Sequence, residues 1–181
     1  VESTERMQVW YRQSEEFPIP KGAMYISFRS ADVSDTPAHA AAAQLYAALL
    51  QDAVNEYTYP ALLAGLNFGI QISSRGINFN ISGYNDKQLV LLQRIVDSVA
   101  GAELASARFE NIRADLIRNL ENARTARAFQ QVAGKARQLL LSGYWDEAQL
   151  IAELQDLTPA RVETFAADFW AGVDVQALLN G

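Results

Sequence analysis

Between Asn67 and Gln88 the chain alternates apolar and polar positions and then changes period. Phe68, Ile70 and Ile72 alternate with Gly69, Gln71 and Ser73, and Ile77, Phe79 and Ile81 alternate with Asn78, Asn80 and Ser82, the period-two pattern of half-buried strands. Ser73-Ser74-Arg75-Gly76 connects them and ends on a residue for which positive φ is cheap, so the segment predicts an antiparallel hairpin with one apolar and one amide-rich, solvated face. From Asp86 the apolar spacing becomes helical, with Leu89, Leu92, Ile95, Val96 and Val99 as the inward stripe to Ala100 and Asn85 or Asp86 as cap.

The same two periods organise the rest. Met7–Arg12 and Ala23–Ser30 alternate as strands, separated by a loop at Phe17-Pro18-Ile19-Pro20-Lys21-Gly22 whose prolines cannot feed a ladder. Asp32–Thr36 supplies turn and cap chemistry and Pro37 suits a first helical position. A helix is predicted from Ala38 to about Glu56 (Ala42, Leu45, Tyr46, Leu49, Ala53 and Val54), interrupted at Pro60, with a second short apolar segment over Ala61–Leu66. Over Glu103–Leu141 the apolar stripe changes side: Phe109, Ile112, Leu116, Leu120 and Ala123 lie almost opposite Phe129, Val132, Ala136, Leu139 and Leu140 at about 100° per residue. That phase shift predicts a break between Arg124 and Ala128 and two helices facing different neighbours. A short helix capped by Asp146 and another opened by Thr158-Pro159, with Val162, Phe165, Ala166 and Phe169 inward, lead past Gly172 to a last strand over Val173–Leu179. The order β-β-α-α-β-β-α-α-α-α-α-β implies an α+β fold, a mainly antiparallel sheet backed by helices on one side, with residues 1–181 forming one domain.

Composition narrows the function. At 181 residues and 50% hydrophobic the chain can bury a real core. A net charge of −6 argues against nucleic acid and against an acidic membrane surface. No apolar run approaches the roughly 20 residues of a membrane-spanning helix. Without cysteine, thiolate catalysis and thiolate metal sites are ruled out. The chain starts Val1-Glu2-Ser3-Thr4 and stops at Leu178-Leu179-Asn180-Gly181, ends that suggest a piece of a longer protein.

Asn55-Glu56-Tyr57-Thr58-Tyr59-Pro60-Ala61-Leu62-Leu63-Ala64-Gly65-Leu66, followed by Ile81-Ser82-Gly83-Tyr84-Asn85-Asp86-Lys87-Gln88, resembles the insulinase/pitrilysin family of zinc metalloendopeptidases, specifically the third, or middle, of their four related α+β domains. Ala107-Arg108-Phe109-Glu110-Asn111-Ile112, Asp156-Leu157-Thr158-Pro159-Ala160-Arg161-Val162 and Ala177-Leu178-Leu179-Asn180-Gly181 fit the same domain in the same order, so the resemblance spans nearly the whole chain. Pro60 and Leu62 depart from the family's common Ala and Glu, and Ala128 from its common Pro. The resemblance implies an active site built on an inverted His-x-x-Glu-His zinc motif in the first domain. This chain has one histidine, so it cannot assemble that motif, which needs two imidazoles on one helix face. The resemblance therefore implies a non-catalytic domain without a cofactor of its own, zinc belonging to the first domain of the parent. Its implied partners are the other domains of the same chain and unfolded peptide enclosed between the two halves of the protease; apolar surface that missing neighbours would cover leaves dimerisation of the fragment open. Periplasm and cytoplasm of a bacterium are both compatible. The competing expectation is a free-standing α+β protein- or peptide-binding module.

Within that frame His39 is a solvated helical histidine and Glu15-Glu16 solvated loop charge. Tyr57 and Tyr59, at the expected helix kink, are assigned first to core packing and second to substrate or interdomain contact. Gln71, Asn78 and Asn80 form an amide stripe: a wet sheet face first, and second a surface that hydrogen-bonds extended peptide, directly or through the hairpin's edge strand. Arg113, Arg124, Arg127 and Lys135, bordered by Glu103, Glu110 and Glu121, are expected to form a salt-laced outer face, and Trp10, Trp145 and Trp170 to lie in the core or at an interdomain seam.

Overall fold

The computed structural model describes residues 1–13, 15, 19–101, 104 and 107–181. Glu16, Glu103 and the Phe17-Pro18 part of the expected loop lie outside them. The strands are β1 (Glu2–Ser3), β2 (Met7–Arg12), β3 (Lys21–Arg29), β4 (Leu66–Ser73), β5 (Gly76–Tyr84) and β6 (Asp174–Asn180). The helices are α1 (Pro37–Leu63), α2 (Gln88–Ala100), α3 (Phe109–Arg124), α4 (Ala128–Leu140), α5 (Glu147–Asp156) and α6 (Pro159–Gly172).

One sheet runs in the order β1-β2-β6-β3-β5-β4, antiparallel throughout except for the parallel β2–β6 pair, with its helices on one face. Alternation decides which side is buried. Met24, Ile26 and Phe28 of β3, Ile77, Phe79 and Ile81 of β5, and Phe68, Ile70 and Ile72 of β4 point into the core, where Phe79 meets Phe28 and Phe68 edge to face at 5.0 and 5.5 Å.

The helix at the centre of that core is α1, which packs on β4, α2, α3, α5 and α6. Its first turns, Ala40 to Ala43, are wholly buried, and these small side chains let neighbours approach its backbone before Leu45, Leu50 and Val54 fill the space further on. Thr36 caps it by accepting the His39 amide at 3.1 Å, with Pro37 in the first turn as expected. Truncating a side chain as buried as Leu50 to alanine removes about 2–5 kcal/mol. Tyr46 takes a 2.6 Å hydrogen bond from the Trp170 indole, and burial pushes its phenol above the usual range despite that bond.

Several expectations are corrected. Pro60 does not interrupt the helix: α1 continues to Leu63, because the proline stands in the exposed last turn, where solvent can serve the Glu56 carbonyl it leaves unpaired. Neither Asn85 nor Asp86 caps α2. A short 3-10 turn over Asn85–Lys87 leads into it, and Gln88, only 2% exposed, donates its amide to Gly22 O at 2.7 Å and Gly83 O at 2.9 Å, tying the helix to β3 and β5. That clamp rotates α2 from its predicted phase: Leu91 and Ile95 are buried, whereas Leu89 and Val96 are exposed. β1 and the extension of β3 to Lys21 carry no period-two signal long enough to detect. The break before Ala128 is present, with α3 ending at Arg124.

The hairpin is as expected, with a two-residue connection, Ser74-Arg75, between the paired Ser73 and Gly76. Gly76 is at φ 152° and faces Arg29 of β3, where a Cβ would stand 1.9 Å from Phe28 O. Gly76→Ala is therefore expected to lower unfolding stability by more than about 2 kcal/mol in urea titration, and a loss under about 0.5 kcal/mol would contradict this account of the turn.

Candidate contact faces

The uncovered face of the sheet carries the amide stripe. Gln71 lies directly opposite Asn78, and Asn78 opposite Ser27 of β3, which pairs in turn with Gln176 of β6 and through it with Gln8 of β2. The adjacent row runs Gly69, Asn80, Tyr25, Leu178, Trp10 in the same order. The structure therefore brings Gln71, Asn78 and Asn80 together on one face and adds Gln8, Tyr25, Ser27, Gln176, Leu178 and Trp10, which the sequence reading did not connect with them. Alternation in β3 was a usable signal for Tyr25 and Ser27; the strand order that places them beside the hairpin was not in it.

These two rows are free of charge, and charged residues stand in the rows that flank them, Arg12 on one side and Arg29 with Asp174 on the other. The Arg29 guanidinium donates to Gln176 Oε1 at 3.0 Å, and Gln176 donates to Gln8 Oε1 at 3.3 Å, so the charged flanking row is joined to the amide row by a short relay. Gly69 has no side chain, and the Asn80 amide lies over it, 2.8 Å from where its Cβ would be.

Tyr57 and Tyr59 are 43% and 65% exposed, so the core-packing assignment is overturned: α1 continues through Pro60 and turns both rings to solvent. They are not part of the amide face, since they belong to the helix layer on the other side of the sheet. Trp10 is also exposed, whereas Trp145 and Trp170 pack on the core and donate to Ser34 O at 2.9 Å and to the Tyr46 hydroxyl.

A further bare surface belongs to α4. None of its residues is buried, and Phe129, Val132, Leu139 and Leu140 on its apolar side are 66–85% exposed. The phase change predicted a different neighbour for this helix; among the described residues that side has none. Its polar side holds it: Lys135 pairs with Asp146 and, at 3.7 Å, with Glu147, and the Gln138 amide donates to Trp145 O at 3.2 Å. The expected salt-laced face is thus split. Arg113 belongs to α3, where it bonds Glu110 at 2.5 Å and Leu157 O at 2.7 Å, whereas Lys135, on α4, reaches across to the start of α5.

The donors do not fit zinc. His39 Nδ1 lies 2.6 Å from Asp35 Oδ1 on the exposed start of α1, and no three His, Asp or Glu side chains converge among the described residues. No described helix is long and apolar enough to cross a membrane.

This α+β architecture is the fold of one domain within a larger protein. It superposes on part of the crystal structure of pitrilysin with a TM-score of 0.91, at 18% identity, over 99% of this chain and 19% of that one. A conserved protein from Enterococcus faecalis V583 shares the fold at a TM-score of 0.71 and 14% identity, over 97% of this chain and 46% of that one. Sequence takes the assignment further. Residues 1–153 match the family described as the middle or third domain of peptidase M16. The human insulin-degrading enzyme is 33% identical over 181 residues, all of this chain and 18% of that protein, and the peroxisomal insulin-degrading enzyme-like 1 of Arabidopsis thaliana is 26% identical over 174 residues, 96% of this chain and 18% of that protein. The chain belongs to the insulinase/pitrilysin, or M16, peptidases as their middle domain, as the resemblance implied, and it spans about a fifth of the length of these relatives.

The tether on α4 has a pH signature. The Lys135 ammonium, and after it the Ala148 amide at 2.8 Å, hold the Asp146 carboxyl below its ordinary 3.8, where it also caps α5. A carboxyl whose pKa is lowered by folding contributes above its unfolded value and loses that contribution as pH falls through the folded one. Asp146→Ala is expected to cost about 1 kcal/mol in urea titration at neutral pH and progressively less as pH falls below the ordinary carboxylate range; a cost that does not change with pH would contradict it.

Proposed function

We propose that this domain is a non-catalytic wall element of a zinc endopeptidase: it shapes the space that holds substrate while metal and catalysis reside elsewhere in the parent chain. The observation that carries this reading is the open sheet face, an uncharged field of amide and aromatic side chains on the side of the sheet away from the apolar core. Amide groups both donate and accept, so Gln71, Asn78 and Asn80 suit the one feature every unfolded peptide shares, its backbone. Tyr25 and Trp10 add rings with an apolar body and a polar tip. Such a surface tolerates many sequences, as the wall of an enclosing protease must.

The exposed apolar side of α4 and the exposed ends Tyr57 and Tyr59 are assigned to neighbouring domains of the same chain. Exposed aliphatic side chains on one helix face are costly in water and are covered in most proteins by a partner surface. That the matched relatives are about five times longer supports partners within one polypeptide. The lone histidine, engaged with Asp35, supports the absence of a zinc site in this domain.

Two measurements on different samples test this. The 181-residue chain, incubated with zinc and desalted, is expected to retain no stoichiometric metal and to show no chelator-sensitive peptide hydrolysis. In the full-length parent, replacing Gln71, Asn78 and Asn80 together by alanine is expected to raise KM for long unfolded peptides about threefold with kcat unchanged. Tight zinc with chelator-sensitive hydrolysis in the chain alone contradicts the non-catalytic reading, and an unchanged KM in the triple variant contradicts the wall contact.

A further inference from the structure

The sheet ends on one side at β4, whose outer edge pairs with no strand among the described residues. The other end of the sheet is blunted, since its outermost strand, β1, has two residues. β4 has eight, Leu66-Asn67-Phe68-Gly69-Ile70-Gln71-Ile72-Ser73, with no charge and no proline. Edge strands in stable proteins are shortened, charged, bulged or covered to prevent pairing with another chain, and β4 shows none of the first three devices: its register with β5 is unbroken from Leu66 to Ser73.

Instead it carries a substitute partner. The Ile70 amide does not face β5; it donates to Gln51 Oε1 of α1 at 3.3 Å. Because the register is continuous, the amides and carbonyls of Phe68, Ile70 and Ile72 all point outward, whereas Gly69 and Gln71 exchange bonds with Asn80 and Asn78. The Gln51 carbonyl thus stands where a strand's carbonyl would stand, on the middle amide of the free edge. An edge paired permanently would have no room for this side chain, and the half-buried Ile70 amide, which needs an acceptor, finds it in an uncharged group on a rotatable arm. Gln51 can swing away, since it is held by one hydrogen bond of ordinary length. The groove it crosses lies between α1 and β4. Gln44, two turns before Gln51 on the helix, lines a small cavity with Ile72 and Ser73, so the helix flanks the edge along its length.

We propose that the β4 edge is a strand-addition site for an extended, unfolded peptide, with Gln51 as a displaceable placeholder. Entry of the peptide forms backbone bonds to Phe68, Ile70 and Ile72 and breaks the Ile70–Gln51 bond. The added strand's side chains alternate: those on the helix side rest against half-buried Phe68, Ile70 and Ile72, and those on the other side continue the amide row at Asn67, Gly69 and Gln71. A neutral segment alternating apolar and small polar residues fits both sides. The inference rests on the reading of the domain as a wall for substrate and names where on it peptide backbone is held.

Amide hydrogen exchange on the 181-residue chain tests it, with a blocked peptide of alternating Thr and Val bearing a Lys at each end. At saturation, exchange at Phe68, Ile70 and Ile72 should slow about tenfold or more while Gly69 and Gln71 stay as they were. N-methylating the peptide on the edge that meets β4 should abolish the effect. Gln51→Ala should tighten binding about threefold and speed Ile70 exchange in the free chain, because the competitor is gone. No selective slowing at saturation, or slowing insensitive to N-methylation, overturns the proposal. So does protection of the three amides that rises with protein concentration without peptide, which assigns the edge to a second copy, or protection present in the peptide-free full-length parent, which assigns it to another segment of that chain. None of these outcomes alters the zinc and KM results, so the site can fail while the wall reading stands.

Discussion

The domain depends on a single buried interface, the contact between α1 and one face of the sheet. Ala40 to Ala43 bring the start of the helix close to its neighbours, and Leu45, Leu50 and Val54 are buried in one cluster with the apolar residues of the sheet, which α1 meets at β4. The other helices add to the same side: α2 through Leu91 and Ile95, α5 through Leu150 and Leu154, α6 through Val162 and Phe169. Since the hydrophobic load is gathered on one face, the other needs only to be wettable.

That asymmetry is what turns a fold into a surface. A sheet covered on both sides has no face to offer; this one presents two uncharged rows beside each other, one of amides and a hydroxyl and one that adds Tyr25, Leu178 and Trp10 to Asn80, flanked on either side by a row that bears charge. Its edge is equally open, with Gln51 in the position of a missing acceptor. The helix layer has its own unfinished side at α4, held by Lys135 and Gln138 to the start of α5 while its apolar residues face outward. An M16 middle domain proposed to sit between a substrate space and its neighbouring domains would need both kinds of surface, one that wets and one that waits to be covered.

Much of this was legible before any coordinates. The hairpin, the break before Ala128, the Thr36, Asp146 and Thr158 caps and the α+β class all follow from local periodicity and capping chemistry, which depend on neighbours in sequence. The misreadings share a cause, an interaction between distant residues. Gln88 looks like an ordinary first-turn residue until β3 and β5 bring the Gly22 and Gly83 carbonyls to it, and that clamp sets the phase of α2. Pro60 breaks a helix in isolation, but here it falls where the helix is ending in solvent. Tyr57 and Tyr59 resemble core aromatics by type, yet the continuation of α1 carries them outward. For the candidate site, Gln71, Asn78 and Asn80 were visible in the hairpin, whereas Tyr25, Gln176, Leu178 and Trp10 join them only through strand order.

Hydroxyl-radical footprinting, applied to the chain alone and within its full-length parent, tests most directly whether the two bare surfaces have different fates. In the isolated chain Phe129, Leu139, Leu140, Trp10 and Tyr25 should all react readily. In the parent, the α4 residues should become several-fold less reactive as another domain covers them, while Trp10 and Tyr25 keep their reactivity toward a solvent-filled substrate space. An α4 face that stays fully reactive in the parent, or an open sheet face silenced there, would contradict the account.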